Sequence, residues 1–555
     1  MDTLGNEDTM PTPLKADQID ALFAGWDAPG APGGTLAVLR GGAVVHQRCF
    51  GLASLELRVK NGPETRFHIA SITKTFVAAA SALLVESGKL DLDEDVRGIV
   101  SELKVDKPVP IRRLLGMTSG LRDSWELMQL SGVGTDQART IEDYLDIAFN
   151  QRHFSFPVGT RNVYTNINFI LMALVVARRS GRPFATFLAD EVLTPLGMTQ
   201  TRLRDEPYDV AENLANSYLP QADGSWKKGV FSIGLGGAGG LISNLPDLVR
   251  WQGMFRAGGI GVAKIAKLMA TPGKLADDRP TNYGLGLGIR KYRGLDLWTH
   301  GGGLPGFRSV FAYMPGVDFG VVLLSNRDDA DTYRRFTEIA DVALADEFTE
   351  PAPARLGVER MKQASVPGVN LASLDGRYVD RESGEVMTIK VKDAAIEADK
   401  NGHALMLRPV GGNRFLEKWS NVDTTAEIEV GPNKAPVIRM DFGGQACVFD
   451  PAPVYEPSAA ALDACVGRYA SDELATTFEV RREKSGLVLK LGPGFQRQAL
   501  VALEPLGPDR FVGKTELWQG WWVVHAVRMI RENGRVVAML VSSDRMKDVR
   551  LDRAD

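Results

Sequence analysis

A serine and a lysine three residues apart, Ser71-Ile-Thr-Lys74, have the clearest chemical potential in the sequence. They precede an apolar run, Phe76–Val85, that ends at Gly88, as is typical of a buried helix closed by glycine. Side chains three residues apart share one helix face, so Lys74 can reach the Ser71 hydroxyl. A lysine can activate a serine when burial or a neighbouring cation lowers the lysine pKa. The pair predicts nucleophilic catalysis through a covalent acyl-enzyme.

The spacing alone is not diagnostic, because it recurs elsewhere in the chain. Ser101–Lys104 lies in a polar segment, and Ser225–Lys228 follows the turn sequence Asp223-Gly224. Ser71 taken by itself is also compatible with a helix N-cap beside a solvated lysine.

A tyrosine and an asparagine form a second motif, Tyr164-Thr-Asn166, ahead of the apolar run Phe169–Val176. A tyrosine near a lysine can act as a phenolate-like base or as a proton relay, and Asn166 can hydrogen-bond a substrate amide. The alternative for Tyr164 is an aromatic core residue with a satisfied hydroxyl.

A histidine followed by three glycines, His300-Gly301-Gly302-Gly303, forms the third motif, after the predicted strand Leu295–Thr299. Glycines beside a strand let a substrate backbone approach closely and leave an N–H group free for an oxyanion. A glycine turn with an incidental histidine is the alternative.

In this combination and order, the three motifs resemble the signature of the serine β-lactamase and penicillin-binding protein superfamily. Within it the chain most resembles the bacterial D-aminopeptidases. The residues that carry the resemblance, besides the three motifs, are Met117–Leu121, Ser119–Asp123 with Trp125, His153-Phe154, Phe156–Gly159, Pro195–Met198, Gly236–Gly240 and Tyr283–Gly286.

The resemblance implies roles for these residues. Ser71 would be the nucleophile, Lys74 the general base and Tyr164 the proton shuttle to the leaving group. Asn166 and the glycines 301–303 would bind substrate, with the N–H groups of Ser71 and Gly303 forming the oxyanion hole.

His300 stands where many relatives have lysine. A histidine that is weakly cationic near neutral pH would attract a substrate carboxylate less than lysine does. The resemblance also implies that a loop of the last domain, 514–522, helps to shape the active site, and that Glu516 receives a substrate ammonium group. The alternatives are a solvated glutamate for Glu516 and barrel packing for the three tryptophans of this loop.

An internal repeat defines the C-terminal part of the chain. Leu371–Tyr378 resembles Leu462–Tyr469, Asn413–Phe415 resembles Asp509–Phe511, and Ile438–Met440 resembles Val527–Met529. Short alternating runs there predict antiparallel strands that close into small barrels.

We therefore predict a multidomain α+β protein. Residues 1–350 would form a β-lactamase-like catalytic domain with an antiparallel sheet flanked by helices. Residues 370–450 and 460–555 would each form a lipocalin-like antiparallel β-barrel, the second capping the active site.

The composition limits the classes of partner and cofactor that we expect for this chain. With 44% hydrophobic and 24% charged residues and a net charge of −4, the chain is typical of a globular protein that binds neither nucleic acid nor an anionic membrane. Three separate cysteines and six scattered histidines predict no metal, and no organic cofactor is implied. Lack of a signal-like N-terminus and of a long apolar run favours a cytoplasmic location. A homodimer is compatible with the sequence.

Three functions remain open at this point. The first is release of an N-terminal D-amino acid from peptides, amides or esters, and the second is an esterase or amidase of other specificity on the same fold. The third is a binding protein whose barrels hold an apolar ligand.

Overall fold

The computed structural model describes residues 14–131, 138–206, 208–232, 234–256, 263–351, 370–392, 395–400, 403–417, 424–431, 435–442, 445–452, 455–484, 486–491, 500–518 and 521–555.

The N-terminal part contains thirteen described strands and ten described α-helices. The strands are β1 (Gly34–Arg40), β2 (Ala43–Phe50), β3 (Leu52–Ser54), β4 (Val59–Lys60), β5 (Phe67–His68), β6 (Arg202–Leu203), β7 (Tyr218–Pro220), β8 (Trp226–Lys228), β9 (Leu241–Ser243), β10 (Gly288–Tyr292), β11 (Leu295–Leu304), β12 (Phe307–Met314) and β13 (Phe319–Ser325). The helices are α1 (Ala16–Ala21), α2 (Thr73–Glu86), α3 (Ile111–Leu115), α4 (Ser124–Leu130), α5 (Ile141–Asn150), α6 (Ile167–Ser180), α7 (Phe184–Leu188), α8 (Leu245–Gly253), α9 (Ala263–Met269) and α10 (Thr332–Ala343).

Six antiparallel strands form the central sheet, in the order β10-β11-β12-β13-β1-β2. Strand β1 lies inside it and is buried on both faces, since alternate side chains point to opposite sides of a strand. Leu36 and Val38 pack on the face that carries α1 and α10. Ala37 and Leu39 pack on the other face, in the large core that contains α2 and α6. The predicted α+β class is confirmed.

Several elements lie where the sequence pattern predicts them. The runs Gly34–Leu39 and Ala43–Gln47, separated by two glycines, predict a hairpin, and they form β1–β2, paired from Gly34 opposite Phe50 to Arg40 opposite Ala43. The sequence also predicts helices near 141–150, 167–180 and 245–256, which are α5, α6 and α8. The run Tyr313–Leu324 predicts a strand pair around Pro315-Gly316, which is β12–β13, joined by a 3₁₀ turn.

The C-terminal part contains sixteen described strands and one short described helix. They are β14 (Gly376–Asp380), β15 (Val386–Lys392), β16 (Ala395–Lys400), β17 (His403–Gly411), β18 (Arg414–Glu417), β19 (Thr424–Val430), β20 (Pro436–Phe442), β21 (Gln445–Pro451), α11 (Ala459–Asp463), β22 (Gly467–Ser471), β23 (Thr476–Glu483), β24 (Gly486–Lys490), β25 (Leu500–Gly507), β26 (Arg510–Trp518), β27 (Trp521–Glu532), β28 (Arg535–Ser542) and β29 (Val549–Arg553).

These strands form two closed antiparallel barrels of eight strands each. In the first barrel β14 pairs with β21, and in the second β22 pairs with β29, so neither is left with an open edge. The predicted pair of barrels is confirmed.

The internal repeat has a structural explanation for two of its three matches. In the first, the hydroxyl of Tyr378 donates to the carbonyl of Leu374, and that of Tyr469 donates to the carbonyl of Cys465, each four residues earlier. In the second, each matched segment follows a bulge in the pairing between the fourth and fifth strands of its barrel. The third match is wrong, because Ile438–Met440 lies in the seventh strand of its barrel and Val527–Met529 in the sixth.

Helix α4 of the N-terminal part packs into the second barrel. Its Leu127 and Leu130 are fully buried in one cluster with barrel residues such as Phe478 and Val527. The second barrel and the region around α4 therefore share a hydrophobic core. Among the described helices, none is long and apolar enough to cross a membrane.

Candidate active site

A cavity of about 1030 Å³ brings the three predicted motifs together. Ser71, Tyr164, Asn166 and the segment 300–303 all line it. Its walls also include Trp125, Tyr283, Arg308, Tyr333, Asp544 and Arg545. Clefts of this size are typical of small-molecule sites.

Ser71 lies in a single 3₁₀ turn, Ala70–Ile72, that leads directly into α2. Ala70 has a φ of +49°, a conformation that costs energy in an L-residue with a side chain. Strained backbone of this kind is common at functional sites. The turn directs the Ser71 side chain into the cavity rather than along the helix.

Lys74 is fully buried in the first turn of α2. Its Nζ lies 3.1 Å from the Ser71 Oγ, 2.9 Å from the Asn166 Oδ1 and 2.6 Å from the carbonyl oxygen of Ala238. Burial lowers the pKa of this amine well below its ordinary value, and the charge of Arg545 lowers it further, against the opposing effect of Asp123.

A neutral lysine amine fits these three neighbours. It has two N–H groups and one lone pair. The oxygens of Asn166 and Ala238 can accept the two N–H groups, which leaves the lone pair directed at the Ser71 hydroxyl. This arrangement can take a proton from Ser71.

Tyr164 lies beside Lys74, with the lysine Nζ 4.8 Å from the centre of its ring. Its hydroxyl oxygen is buried and makes no hydrogen bond of normal geometry within the described residues. Burial raises the pKa of this hydroxyl, although the Ser71 hydroxyl and the charge of Arg545 both favour the ionised form. Tyr164 is therefore a protonated phenol near neutral pH, which favours the proton-relay alternative over the phenolate base.

Asn166 is fixed by an aspartate that precedes α4. Asp123 accepts hydrogen bonds from the backbone N–H of Asn166 at 2.6 Å and from its side-chain amide at 3.3 Å. The same carboxylate caps α4 by accepting from the Trp125 N–H at 3.0 Å. These contacts orient the Asn166 oxygen toward Lys74.

His300 is engaged on both ring nitrogens. Nδ1 lies 2.7 Å from the Gly301 carbonyl, which can only accept, so Nδ1 carries the proton and Nε2 accepts from the Tyr283 hydroxyl at 3.0 Å. Burial, together with the nearby Lys74, lowers the pKa of His300 to about 3. The expectation of a weakly cationic histidine is wrong, since the imidazole is neutral throughout the physiological range.

The glycines 301–303 continue strand β11 and do not form a turn. Strand β10 pairs with β11 only as far as Thr299, so the His300–Leu304 half has no partner on that side among the described strands. At Gly302 a Cβ atom would lie 2.1 Å from the carbonyl oxygen of Ile69. Glycine at this position therefore lets β11 approach the turn that carries Ser71.

A sequence profile of the Beta-lactamase family matches residues 19–344, more than half of the chain. The chain belongs to the Beta-lactamase family. It is 30% identical to a D-aminopeptidase from Gluconobacter oxydans over 360 residues, 64% of each chain. A D-aminopeptidase from Cereibacter sphaeroides is 25% identical over 504 residues, 90% of each chain. The crystal structure of a penicillin binding protein from Bacillus halodurans matches with 26% identity and a TM-score of 0.52, covering 58% of this chain and 98% of that one.

In this β-lactamase-family chain, the second barrel also contributes to the cavity wall. Asp544 and Arg545 belong to the segment Ser543–Asp548 between β28 and β29, which we call the barrel loop. The guanidinium carbon of Arg545 lies 5.4 Å from the centre of the Tyr164 ring. Neither Asp544 nor Arg545 belongs to a motif of the sequence, and the contribution of the loop 514–522 stays a prediction.

The described parts of this segment, 514–518 and 521–522, belong to the paired ends of β26 and β27, where the backbone of Glu516 lies opposite that of Trp522. The side chain of Glu516 is outside the described residues, so its predicted role stays a prediction. The sequence could have indicated a structural role for Asp123 in the motif Ser119–Asp123, because an aspartate directly before a short helix is a typical N-cap. No comparable signal marked Arg545.

Within the described ranges, no group of three or more histidine, cysteine, aspartate or glutamate side chains could hold a metal ion.

Proposed function

We propose that this chain is a serine hydrolase that releases an N-terminal D-amino acid from peptides, amides or esters through an acyl-enzyme on Ser71. The observation that supports this most directly is the buried Lys74 amine, whose lone pair is free for the Ser71 hydroxyl once Asn166 and Ala238 accept its N–H groups. The proposal includes the three-domain division at 1–350, 370–450 and 460–555.

In the acylation step, the Ser71 oxygen attacks the substrate carbonyl and its proton passes to Lys74. The N–H groups of Ser71 and Gly303 stabilise the oxyanion. Tyr164, held as a phenol, donates its proton to the leaving amine or alcohol and recovers one from Lys74. Water then attacks the acyl-enzyme ester and gives a proton to Lys74. That proton passes to the Ser71 oxygen as its bond to the acyl carbon breaks and the D-amino acid is released.

The substrate class is supported by the extent of the similarity. The match to a D-aminopeptidase over 90% of both chains includes the barrels, which a shorter β-lactamase-like esterase does not need. A neutral His300 also fits a substrate that is bound through its N-terminal residue rather than through a terminal carboxylate. Glu516 remains the proposed partner of the substrate ammonium group.

The alternative is an esterase or amidase of other specificity on the same machinery. The neutral imidazole of His300 is compatible with this alternative, because both ring nitrogens form hydrogen bonds within the protein and neither binds an ionised substrate group.

A binding function for the barrels has little support. Described side chains fill the interior of each barrel, including Phe415 and Phe449 in the first and Phe478 and Met539 in the second. A packed core leaves no room for an apolar ligand.

The test is release of p-nitroaniline from the D- and L-alanine anilides, with Ser71→Ala as the blank. We expect hydrolysis of the D-form alone, abolished in the variant. Cleavage of a simple p-nitrophenyl ester through Ser71, with neither anilide hydrolysed, would favour the esterase alternative. Full activity in Ser71→Ala would exclude Ser71 as nucleophile.

A further inference from the structure

Arg545 carries a cation from the last barrel to the centre of the active site. Its guanidinium faces the Tyr164 ring, and 21% of its side chain remains exposed in the cavity. Burial lowers the pKa of Arg545, but this is outweighed by the surrounding carboxylates of Asp123, Asp544 and Glu126. Arg545 is therefore a fixed positive charge at every working pH.

The start of the barrel loop is bound to helix α4. The backbone N–H of Arg545 donates to the Glu126 carboxylate at 3.0 Å, and the Ser543 hydroxyl donates to the same oxygen. In return, the Arg545 carbonyl accepts from the N–H of Asp123 at 3.1 Å. Both flanks of the residue are thus held by the segment that also orients Asn166.

The end of the loop is bound to Arg122, which is almost fully buried. Its guanidinium donates to the carbonyls of Lys547 at 3.0 Å and Asp548 at 3.2 Å. It also forms a two-oxygen ion pair with Glu473, at 2.6 and 2.8 Å. The motif Ser119–Asp123 therefore serves to attach the second barrel.

The first barrel reaches the same loop. Glu385, fully buried, forms ion pairs with Lys547 and with Lys400, and Lys400 lies 3.9 Å from Asp544. Several elements thus fix the loop and leave Arg545 one position. The titratable and charged groups that surround the loop and the Lys74–Tyr164 pair are Ser71, Arg122, Asp123, Glu126, Tyr283, His300, Tyr333, Glu385, Lys400, Glu473, Asp544 and Lys547.

We propose that Arg545 is a positioning residue: its fixed charge beside the Tyr164 ring, which Lys74 Nζ also approaches at 4.8 Å, offsets the charge of Asp123 and so helps burial to hold Lys74 in the neutral form that accepts the Ser71 proton. The inference rests on the proposed function, since it assigns Lys74 as the base. A cation close to an amine in a poorly solvated site disfavours the protonated amine. A residue of the second barrel thereby contributes to the protonation state of the base.

The test is the pH profile of kcat/KM for p-nitrophenyl acetate in the full chain. In Arg545→Met the acid limb that reports protonation of Lys74 should move to higher pH by about one unit, a tenfold loss on that limb. Burial raises the pKa of the Glu126 carboxyl to about 7, so Glu126→Gln is measured beside it to separate the two titrations. Arg545→Lys should keep the limb near its original position while lowering the maximum. Arg550→Met is the matched control: it removes a cation of the same barrel whose side chain is exposed and paired with Asp552, and its profile should stay unchanged.

Removal of Arg545 takes one cation away from the carboxylates of Asp123, Glu126 and Asp544, so folding is checked by circular dichroism. If Arg545→Met does not fold, the double variant Glu126→Gln/Arg545→Met removes one of these charges and should show the same displacement. A folded variant of either kind with the original acid limb overturns the inference. Activity that survives Ser71→Ala contradicts the proposed function and not this inference. If the enzyme hydrolyses only esters, the pH test still applies, because its substrate is an ester.

Discussion

At the scale of single side chains, Lys74 can serve as a base because three environmental effects act on one amine. Burial lowers its pKa, the charge of Arg545 counters the opposing charge of Asp123, and the oxygens of Asn166 and Ala238 occupy its N–H groups. The remaining lone pair has one described neighbour with a transferable proton at hydrogen-bonding distance, the Ser71 hydroxyl.

Replacement of Lys74 tests this directly. Lys74→Ala should slow acylation by about 10²–10⁴-fold, the range associated with loss of a general base. Lys74→Arg should not restore the rate, because an arginine stays protonated in proteins. The measurement is the burst of p-nitrophenol from an ester in stopped-flow experiments. A near-normal rate in Lys74→Ala would exclude the base role.

The residues that the sequence made predictable are those within short motifs. Ser71, Lys74, Tyr164 and His300 meet in the cavity as their motifs implied. The charge state of His300 was not predictable, because it depends on burial and on Lys74, far away in sequence. Arg545 was not predictable either, since arginine in a loop is ordinarily a solvated surface residue.

At the scale of elements, the approach of β11 to the turn Ala70–Ile72 sets the geometry of the proposed oxyanion hole. At Gly302 the two approach closely, and a Cβ atom there would meet both the Ile69 carbonyl and the Ser309 hydroxyl. Ser309 itself donates to that carbonyl at 3.1 Å, which links β12 to the same turn.

Gly302→Ala should therefore push β11 away from the turn. A Cβ atom there would lie 2.1 Å from the Ile69 oxygen and 2.3 Å from the Ser309 oxygen, so the backbone must move. Displacement of an oxyanion donor costs about 10²–10³-fold in kcat. Gly316→Ala, in the turn between β12 and β13 with open space around it, is the control and should keep full activity. Steady-state kinetics on one ester compares the two, and equal rates would show that the contact does not set the site.

The repeat shows which sequence patterns determine strand position. The two matches with a structural counterpart contain a tyrosine bonded to an earlier carbonyl, or a turn after a bulge, both tied to one place in the barrel. The wrong match, Ile438–Met440 with Val527–Met529, is an apolar–Arg–Met alternation. Any half-buried strand accepts such an alternation, so it does not identify a particular one.

At the scale of the whole molecule, the second barrel lines part of the candidate active site and shares a core with helix α4. Helix α4 buries Leu127 and Leu130 in the barrel core, and its N-terminal cap, Asp123, orients Asn166. Deletion of the barrel would expose this apolar surface. The contact between the barrel and the N-terminal part is therefore better tested by a point substitution at the interface.

The buried ion pair between Arg122 and Glu473 provides that test. Glu473→Gln leaves Arg122 charged, nearly fully buried and without its carboxylate, which typically costs about 3–5 kcal/mol. The matched control is Asp450→Asn in the pair Arg381–Asp450, where 47% and 41% of the side chains are exposed, and at most about 1 kcal/mol is expected. The free energy of unfolding of both variants is measured by urea denaturation. Because Arg122 also holds the barrel loop, Glu473→Gln should lower kcat even at urea concentrations where the variant is fully folded. Asp450→Asn should leave kcat unchanged. A large loss of stability with an unchanged kcat would mean that the barrel stabilises the protein without controlling its chemistry.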